Sequence, residues 1–459
     1  MVEKKSDIQE LKHKARRYSI KEGIFATAKG AFGDSFISPL AIQINSSNSL
    51  IFLLSSISGL LGPLSQMFSS RLIEKYSRKK IVMKSVFLET LMWLPLIAVA
   101  VLFYFGIVKN FLPLALFLTF SFYVIFANIS GPAWFSWMGD LVDEEYRGRW
   151  FAKRNLIHGF VAVVLAISAA FFLDFFETKN LLMAGYVILF SLAFISRFIS
   201  WRIFKKQYEP KIKLEKGYYF SFSEFLFMAP KTNFGKFAIF RAFLGFACAV
   251  TEPLLAIYLL RYLDFQYKQY MIVIYAGTIF SLLVMSLWGK FADRYGNYRT
   301  MKLTAFFIPL IPVLWTFSSS PMYMIFVPSV ISGIAWAGFN LAASNFIYDN
   351  VRQEKRGIVV AYYNVLVGIG VFLGAGLGAI LIKYLEITFI EPVFFIFILG
   401  TVLRILVMVF GISHLKEKRK IKKFNQKHYL RNLILKDAKP ALIEEVHQIM
   451  AIKKYIWEN

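Results

Sequence analysis

Apolar residues in this chain are gathered into long runs divided by short polar stretches. A helix crossing a bilayer needs about 20 apolar residues, because the hydrocarbon core is about 30 Å thick and an α-helix rises about 1.5 Å per residue. Runs of that kind lie at 23–45, 48–69, 81–105, 111–137, 156–176, 181–204, 237–260, 270–289, 301–318, 322–347, 358–383 and 391–414, which predicts twelve spanning helices. Two are weak: the first contains Lys29 and Asp34, and the ninth is short and carries Pro309 and Pro312. Pro39, Pro63, Pro95, Pro253 and Pro328 also fall inside runs. They need not end them, since neighbouring helices can satisfy the backbone groups a proline frees in a membrane.

The polar stretch 205–235 divides the runs six and six, and its part from Tyr218 to Met228 has the aromatic make-up of a helix lying along the interface. The expected organisation is an N-tail (1–22), a six-helix bundle (23–204), a linker (205–236), a second six-helix bundle (237–415) and a basic tail (416–459). An amphipathic pattern runs through that tail at Ala441, Leu442, Val446, Ile449, Met450 and Ile452.

Composition excludes the soluble classes. The chain of 459 residues is 57% apolar and 18% charged, against about 45–50% and 25% in soluble domains. Net charge is +25, and its distribution says why. Of 53 Lys and Arg, 44 lie in the two tails and in alternate loops, 5 lie in the opposite loops, and Lys29, Arg197, Arg241 and Arg404 lie inside runs. Positive loops stay in the cytoplasm, so both termini are expected there, in a multi-pass protein of the cell membrane. The charge serves topology and contact with anionic lipid, not nucleic acid. Cys248 is the single cysteine, which excludes an internal disulfide and cysteine-based metal sites. No cleavable leader and no cofactor are expected.

The two halves repeat each other. At a shift of 209, residues 140–159 match 349–368 at eight positions, among them Asp140/Asp349, Glu145/Glu354, Arg147/Arg356, Gly148/Gly357 and Asn155/Asn364. At a shift of 214, the first and seventh runs match at Ala28/Ala242, Phe32/Phe246, Pro39/Pro253 and Leu40/Leu254. Parallel repeats of six helices imply a pseudo-twofold axis along the membrane normal and a cleft between the halves. The expected fold is therefore all-α and membrane-integral, twelve transmembrane helices in two related bundles.

Between the eighth and ninth runs the chain reads GKFADRYGNYR, with Gly289, Asp293, Arg294, Gly296 and Arg299. This resembles the signature of the major facilitator superfamily. A weaker copy, SRLIEKYSRKK, stands between the second and third runs, with Glu74, Lys75, Arg78, Lys79 and Lys80, and with Ser70 and Ser77 in place of both glycines. The resemblance covers about residues 20–415 and implies a transporter. It also points away from the best-known drug antiporters, because the fourth run has no arginine and the fifth only Gly159.

A carboxylate in such a turn is suited to cap a helix N-terminus in the opposite half, where backbone N–H groups and the helix dipole attract an anion. Glu74, Arg78, Asp140, Glu145, Arg147, Gly289, Asp293, Arg294, Asp349, Glu354 and Arg356 are accordingly expected to form a cytoplasmic gate that opens and closes.

Ionisable groups at membrane depth are costly, about 2.5–3.5 kcal/mol on insertion scales, so each is a functional candidate. Thr27, Gly30, Asp34 and Ser38 share one face of the first run; Arg241, Gly245, Cys248 and Glu252 share one face of the seventh. These corresponding stripes are expected to line the cleft, so Asp34 and Glu252 would face the solute or a coupling proton. Lys29, on the other side of the first run, and Arg197 and Arg404 read as snorkelling cations. Arg241 reads either way, Glu89 is deep with no partner visible in the sequence, and His158 reads as a capping or surface residue. Asn128, Trp336 and Asn340, with Tyr362, Tyr363 and Asn364, are candidates for solute contact. Gly370, Gly374 and Gly378 form GxxxGxxxG, a helix-packing pattern.

The expectation is a monomeric secondary transporter that moves a small solute by alternating access, with a proton as candidate coupling ion. The alternatives are a uniporter or amphiphile exporter, or a receptor or assembly protein that keeps the fold without transport. No Gly-x-x-x-x-Gly-Lys-Ser/Thr loop and no Gly-x-Ser-x-Gly occurs, so neither ATP drive by this chain nor catalysis is expected.

Overall fold

The computed structural model describes residues 5–73, 75–142, 144–210, 221–351, 356–386 and 390–418, excepting side chains at 5–7, 70–71, 144–149, 152 and 356–357. Every regular element among the described residues is helical. The N-terminal half consists of α1 (Lys5–Phe32), a 3-10 turn (Asp34–Phe36), α2 (Ile37–Gln43), α3 (Asn48–Leu72), α4 (Arg78–Leu91), α5 (Trp93–Tyr104), α6 (Leu112–Leu141), α7 (Glu144–Thr178) and α8 (Leu182–Lys205). A short helix α9 (Phe222–Met228) follows. The C-terminal half consists of α10 (Asn233–Ala249), α11 (Glu252–Ile257), α12 (Tyr267–Tyr295), α13 (Asn297–Ala305), α14 (Leu310–Leu314), α15 (Pro321–Met324), α16 (Val330–Asn350), α17 (Arg356–Tyr384) and α18 (Pro392–Ile412).

Ten stretches are long and apolar enough to cross a membrane, and they answer to every expected span but the first and ninth. Those two are helical as well. The first, α1 with α2, is too rich in charge to qualify, and the ninth is broken into α13 and α14 by the turn before Pro309. They are packed among the others, α1 on α7 and α8, α13 on α16 and α14 on α18. The first helix also begins well before the apolar run. Ala15, Ser19 and Glu22 are buried, because this segment lies under the N-terminal half, with Ser19 hydrogen-bonded to Met138 at 3.2 Å.

Close helix contact depends on small residues. A Cβ on Gly370 or Gly374 of α17 would lie 2.1 Å from the Ala242 or Phe246 carbonyl oxygen of α10, and one on Gly368 would lie 2.2 Å from the Gly59 carbonyl oxygen of α3. So α17 packs on α10 in its own half and on α3 across the interface. Large apolar side chains such as Phe122, Phe171, Phe175, Phe243 and Phe410 stay exposed on the perimeter, the surface that lipid covers in a membrane protein.

Candidate functional site

The first helix of each half is broken in the same region of the repeat, and the two halves resume as helix within one residue of each other. In the N-terminal half α1 ends at Phe32, and a Cβ on Gly33 would sit 2.0 Å from the Trp93 ring, so only glycine lets the indole close on the break. Beyond it, Pro39 has no N–H to give the preceding turn. The break changes which residues meet. On an unbroken helix Lys29 and Asp34 would diverge; here the Lys29 ammonium lies 2.8 Å from Asp34, 2.7 Å from the Tyr123 hydroxyl and 3.2 Å from Glu89. Tyr123 in turn donates to Asp34.

A ladder of alternating charge continues from there. Arg197 Nε donates to Glu89 at 2.9 Å and Arg197 Nη1 to Ser200 at 3.1 Å. Ser200 donates to Glu22 at 2.9 Å, and Arg154 stands 3.8 Å from Glu22 with its guanidinium 4.6 Å from the Trp134 ring centre. Lys29 and Arg197 therefore do not snorkel. Their heads are buried against acids from α1 and α4, which is where Glu89 finds its partners. Buried pairs hold only while every member is present, and removing one leaves an uncompensated charge. Asp34 is the open end of the ladder, its side chain 40% exposed. Beside it, Ser35 hydrogen-bonds Tyr275 of α12 at 2.9 Å, which places this end at the interface between the halves. His158 is packed as a structural residue, wedged on Gly23 with Nε2 3.3 Å from the Ile20 carbonyl.

In the C-terminal half α10 stops at Ala249 and α11 begins at Glu252, with Pro253 in its first turn. Arg404 of α18 is buried and donates to the Thr251 hydroxyl at 2.7 Å and the Cys248 carbonyl at 3.4 Å, so it too does not snorkel. Glu252 is exposed on α11, which packs on α2 and α3 of the other half, and it has no hydrogen bond or ion pair among the described residues. Arg241 turns inward, donating to the Tyr363 hydroxyl at 3.0 Å with its guanidinium 5.1 Å from the Phe339 ring centre. Trp336 stands edge-on to Phe339 at 5.7 Å, and Asn340 is exposed.

Asn128 belongs to a third polar group. Gln66 donates to it at 3.2 Å and accepts from Asn364 at 3.1 Å, a chain of amides running from α6 through α3 to α17 of the other half. Gln66 was not among the expected residues, although an amide inside the second apolar run was a visible signal.

The turns at the end carrying the termini are tied within each half. Arg78, fully buried, holds Asp140 at 2.6 Å and the Pro210 carbonyl at 2.9 Å. Asn297, at the corresponding place, donates to Asp349 at 2.7 Å. Glu209, just after α8, accepts from the Lys79 backbone N–H at 3.2 Å, and Glu417, just after α18, accepts from that of Tyr298 at 2.9 Å. Each half thus caps its own third helix, a symmetry that the sequence reading missed. Gly296 has φ of +93°, a conformation that favours glycine, whereas its counterpart Ser77 is an extended N-cap whose hydroxyl accepts from Lys80 N–H. A Cβ on Gly289 would meet nothing, and Asp293 and Arg294 are exposed. Glu74 and Glu354 lie outside the described residues, as do the side chains of Glu145, Arg147 and Arg356.

The family model of the Major Facilitator Superfamily matches residues 24–308 and again 237–446. The chain belongs to the major facilitator superfamily. It is, with its family, a multi-pass membrane transporter. Solved structures similar to it include the nucleoside transporter NupG, at TM-score 0.62 and 14% identity over 88% of this chain and 100% of that one. A bacterial homologue of the iron transporter ferroportin in an inward-facing state gives TM-score 0.63 and 14% identity over 87% and 99%. No curated relative matches the sequence.

The two ends of this transporter differ. At the end opposite the termini one apolar core joins both halves, including Phe36, Leu40, Phe52 and Tyr186 from the first and Leu254, Tyr258, Tyr270 and Phe397 from the second. Polar contacts bridge it. Asp174 of α7 accepts from the N–H groups of Tyr267 and Lys268 at 2.8 and 3.0 Å, capping α12, and Arg261 donates to Asn48 and to the Ser46 carbonyl at 2.9 Å. At the termini end the buried cores are separate, one around Trp137 and Leu141 and another around Phe237 and Phe346, with Met67 of α3 reaching across to the edge of the second. Among the described residues no group of three or more His, Cys, Asp or Glu could hold a metal ion.

Proposed function

We propose that this protein is a secondary transporter that carries a small solute by alternating access, with Asp34 as the site of a coupling proton. The observation that carries the reading is the contrast between the ends: a core shared by both halves at one, separate cores at the other. Packed interfaces are bistable rather than continuously deformable, so a cleft shut at one end and split at the other fits one of two access states. With both termini in the cytoplasm, as the Lys and Arg asymmetry favours, this state faces inward in the cell membrane. The protein acts as a monomer, its basic face against anionic lipid.

Asp34 suits coupling because it is the most exposed member of an otherwise largely buried ladder. Protonation would release Lys29 towards Glu89 and change the charge seen by the cleft. Purified protein in proteoliposomes tests this, with sugars, amino acids, organic anions, hydrophobic cations, nucleosides and iron as a panel. Asp34→Asn should abolish accumulation against a gradient and leave exchange largely intact. Accumulation by that variant at the parent rate would remove Asp34 from coupling, and a folded parent that moves nothing would favour a receptor role.

A further inference from the structure

We propose that Glu252 and Arg404 form an ion pair in the access state opposite to the present one, so that Arg404 takes up the Glu252 carboxylate as the cleft changes sides; this rests on the alternating-access reading. The case starts from Arg404, which is 3% exposed inside a span and has no acidic partner among the described residues. Its Nε has no hydrogen-bond partner, and neither does the buried Thr401 Oγ1 on the same face of α18. A hydroxyl and a helix-end carbonyl are all that offset its charge, where a buried cation ordinarily has an anion.

The repeat shows what is missing. Arg404 stands eight residues before the end of α18, as Arg197 stands eight before the end of α8, and Arg197 lies between Glu89 and Glu22. The residues at the places of those acids in the C-terminal half are Ile308 and Lys236. The arginine is there without its carboxylates. The acids from Lys236 to Ser413 are Glu252, Asp264, Asp293, Asp349, Glu354, Glu386 and Glu391, and of these only Glu252 falls at the depth of a span. It directly follows Thr251, whose hydroxyl already receives Arg404. It also sits on the break between α10 and α11, where no continuous helix fixes its direction. In the present state the carboxylate is exposed and Arg404 has no acidic partner among the described residues; the turn at Val250–Thr251 is where the chain would rotate to bring them together. A tethered carboxylate outcompetes a dissolved anion for such a site through its effective concentration.

The test uses the full chain in lipid nanodiscs and a hydrophobic carbodiimide, to which a protonated carboxyl gives its proton and then adds through oxygen. Labelling of the Glu252 peptide is read by mass spectrometry. The labelling is done on an Asp174→Asn background, where loss of the α12 cap favours the opposite access state; the ion pair there keeps the carboxyl ionised and protected, so adding Arg404→Gln should raise the labelling rate about tenfold, while Arg404→Lys should keep most of the protection. Ile308→Glu supplies a permanent rival acid at the place of Glu89 and should raise labelling with Arg404 intact, which keeps the proposal testable if the glutamine variant fails to fold. Labelling within twofold of the parent in either folded variant overturns the pairing. So does unchanged labelling together with chloride-dependent thermal stabilisation that Arg404→Gln abolishes, which would assign the arginine to a dissolved anion. If labelling rises as expected but the parent moves no solute, the pairing stands and the transport reading fails.

Discussion

The broken first helices of the two halves, α1–α2 and α10–α11, share a backbone and differ in chemistry. Both are interrupted partway along, both restart with a proline in the next turn, and both have a buried arginine of the sixth helix column nearby. Around the first break that arginine belongs to a ladder from Asp34 to Arg154. Around the second it meets one hydroxyl and one carbonyl. Duplication fixed where helices bend and how they pack, because a small residue at a crossing or a proline in a turn acts through the backbone. It left the charges free to diverge, because a charge needs only a partner somewhere in the same dry interior. Position in the repeat is therefore a guide to geometry and a poor guide to chemistry.

The sharpest way to break this comparison is to remove the arginine from each half. Arg197→Met leaves Glu89 and Glu22 buried short of a counter-charge, which costs about 3–5 kcal/mol. Arg404→Met strands no acid and should cost less, about 1–2 kcal/mol for its hydrogen bonds. Thermal unfolding in a single detergent compares them directly. Equal losses would mean that the ladder is no more than a set of hydrogen bonds. Glu89→Gln together with Arg197→Met should recover part of the single-variant loss, since it removes both charges.

The spans, the repeat and the signature turns were legible in the sequence because they rest on run length, identity at a fixed shift and a compact motif. Lateral partners were not. Nothing local to Glu89 or Arg197 says that α4 and α8 are adjacent at that depth, and a helical wheel separates Lys29 from Asp34 only while the helix is unbroken. Two bonds at the gate turns lie inside a half, Arg78 with Asp140 and Asn297 with Asp349, and the helix packing that brings those partners together is not written in the turns themselves. Glu209 and Glu417 escaped notice because each follows the last helix of its half and lies far in sequence from the helix it caps.

A smaller effect separates the halves at the end opposite the termini. There the first half supplies an acid, Asp174, and the second a base, Arg261; the residues at the corresponding repeat positions are Lys383 and Ser47. Asp174→Asn weakens two charge-assisted hydrogen bonds to the α12 N-terminus, at a half-buried site, by about 1–2 kcal/mol in total. Such a bias shifts a two-state equilibrium about five- to thirtyfold. A cysteine at Tyr270 in a Cys248→Ala background should then label from outside correspondingly faster. An unchanged rate would show that the joined apolar core alone holds this end shut.

The smallest expected difference concerns the two cap acids, where the halves look most alike. Glu209→Gln and Glu417→Gln keep a hydrogen-bond acceptor and remove the charge facing the start of α4 or α13. A carboxylate at a helix N-terminus contributes about 0.3–1 kcal/mol through the dipole when exposed, and up to about 2 when partly buried. Each carboxylate accepts one backbone N–H of the helix that it caps, and Glu417 also accepts the N–H of its own neighbour Lys418 at 3.1 Å, so the loss common to both caps should be about 0.5–1 kcal/mol. Glu209 has one further neighbour, the buried Arg78 guanidinium at 3.7 Å, for which Asn297 is the uncharged counterpart. Arg78 retains Asp140 at 2.6 Å, so the extra loss in the first half should be no more than about 1 kcal/mol. The prediction is thus a ranking, Glu209→Gln below Glu417→Gln in thermal stability, with the gap removed when both are placed on an Arg78→Asn background. A gap that persists there would show that the halves differ in the cap itself and not in the charge behind it.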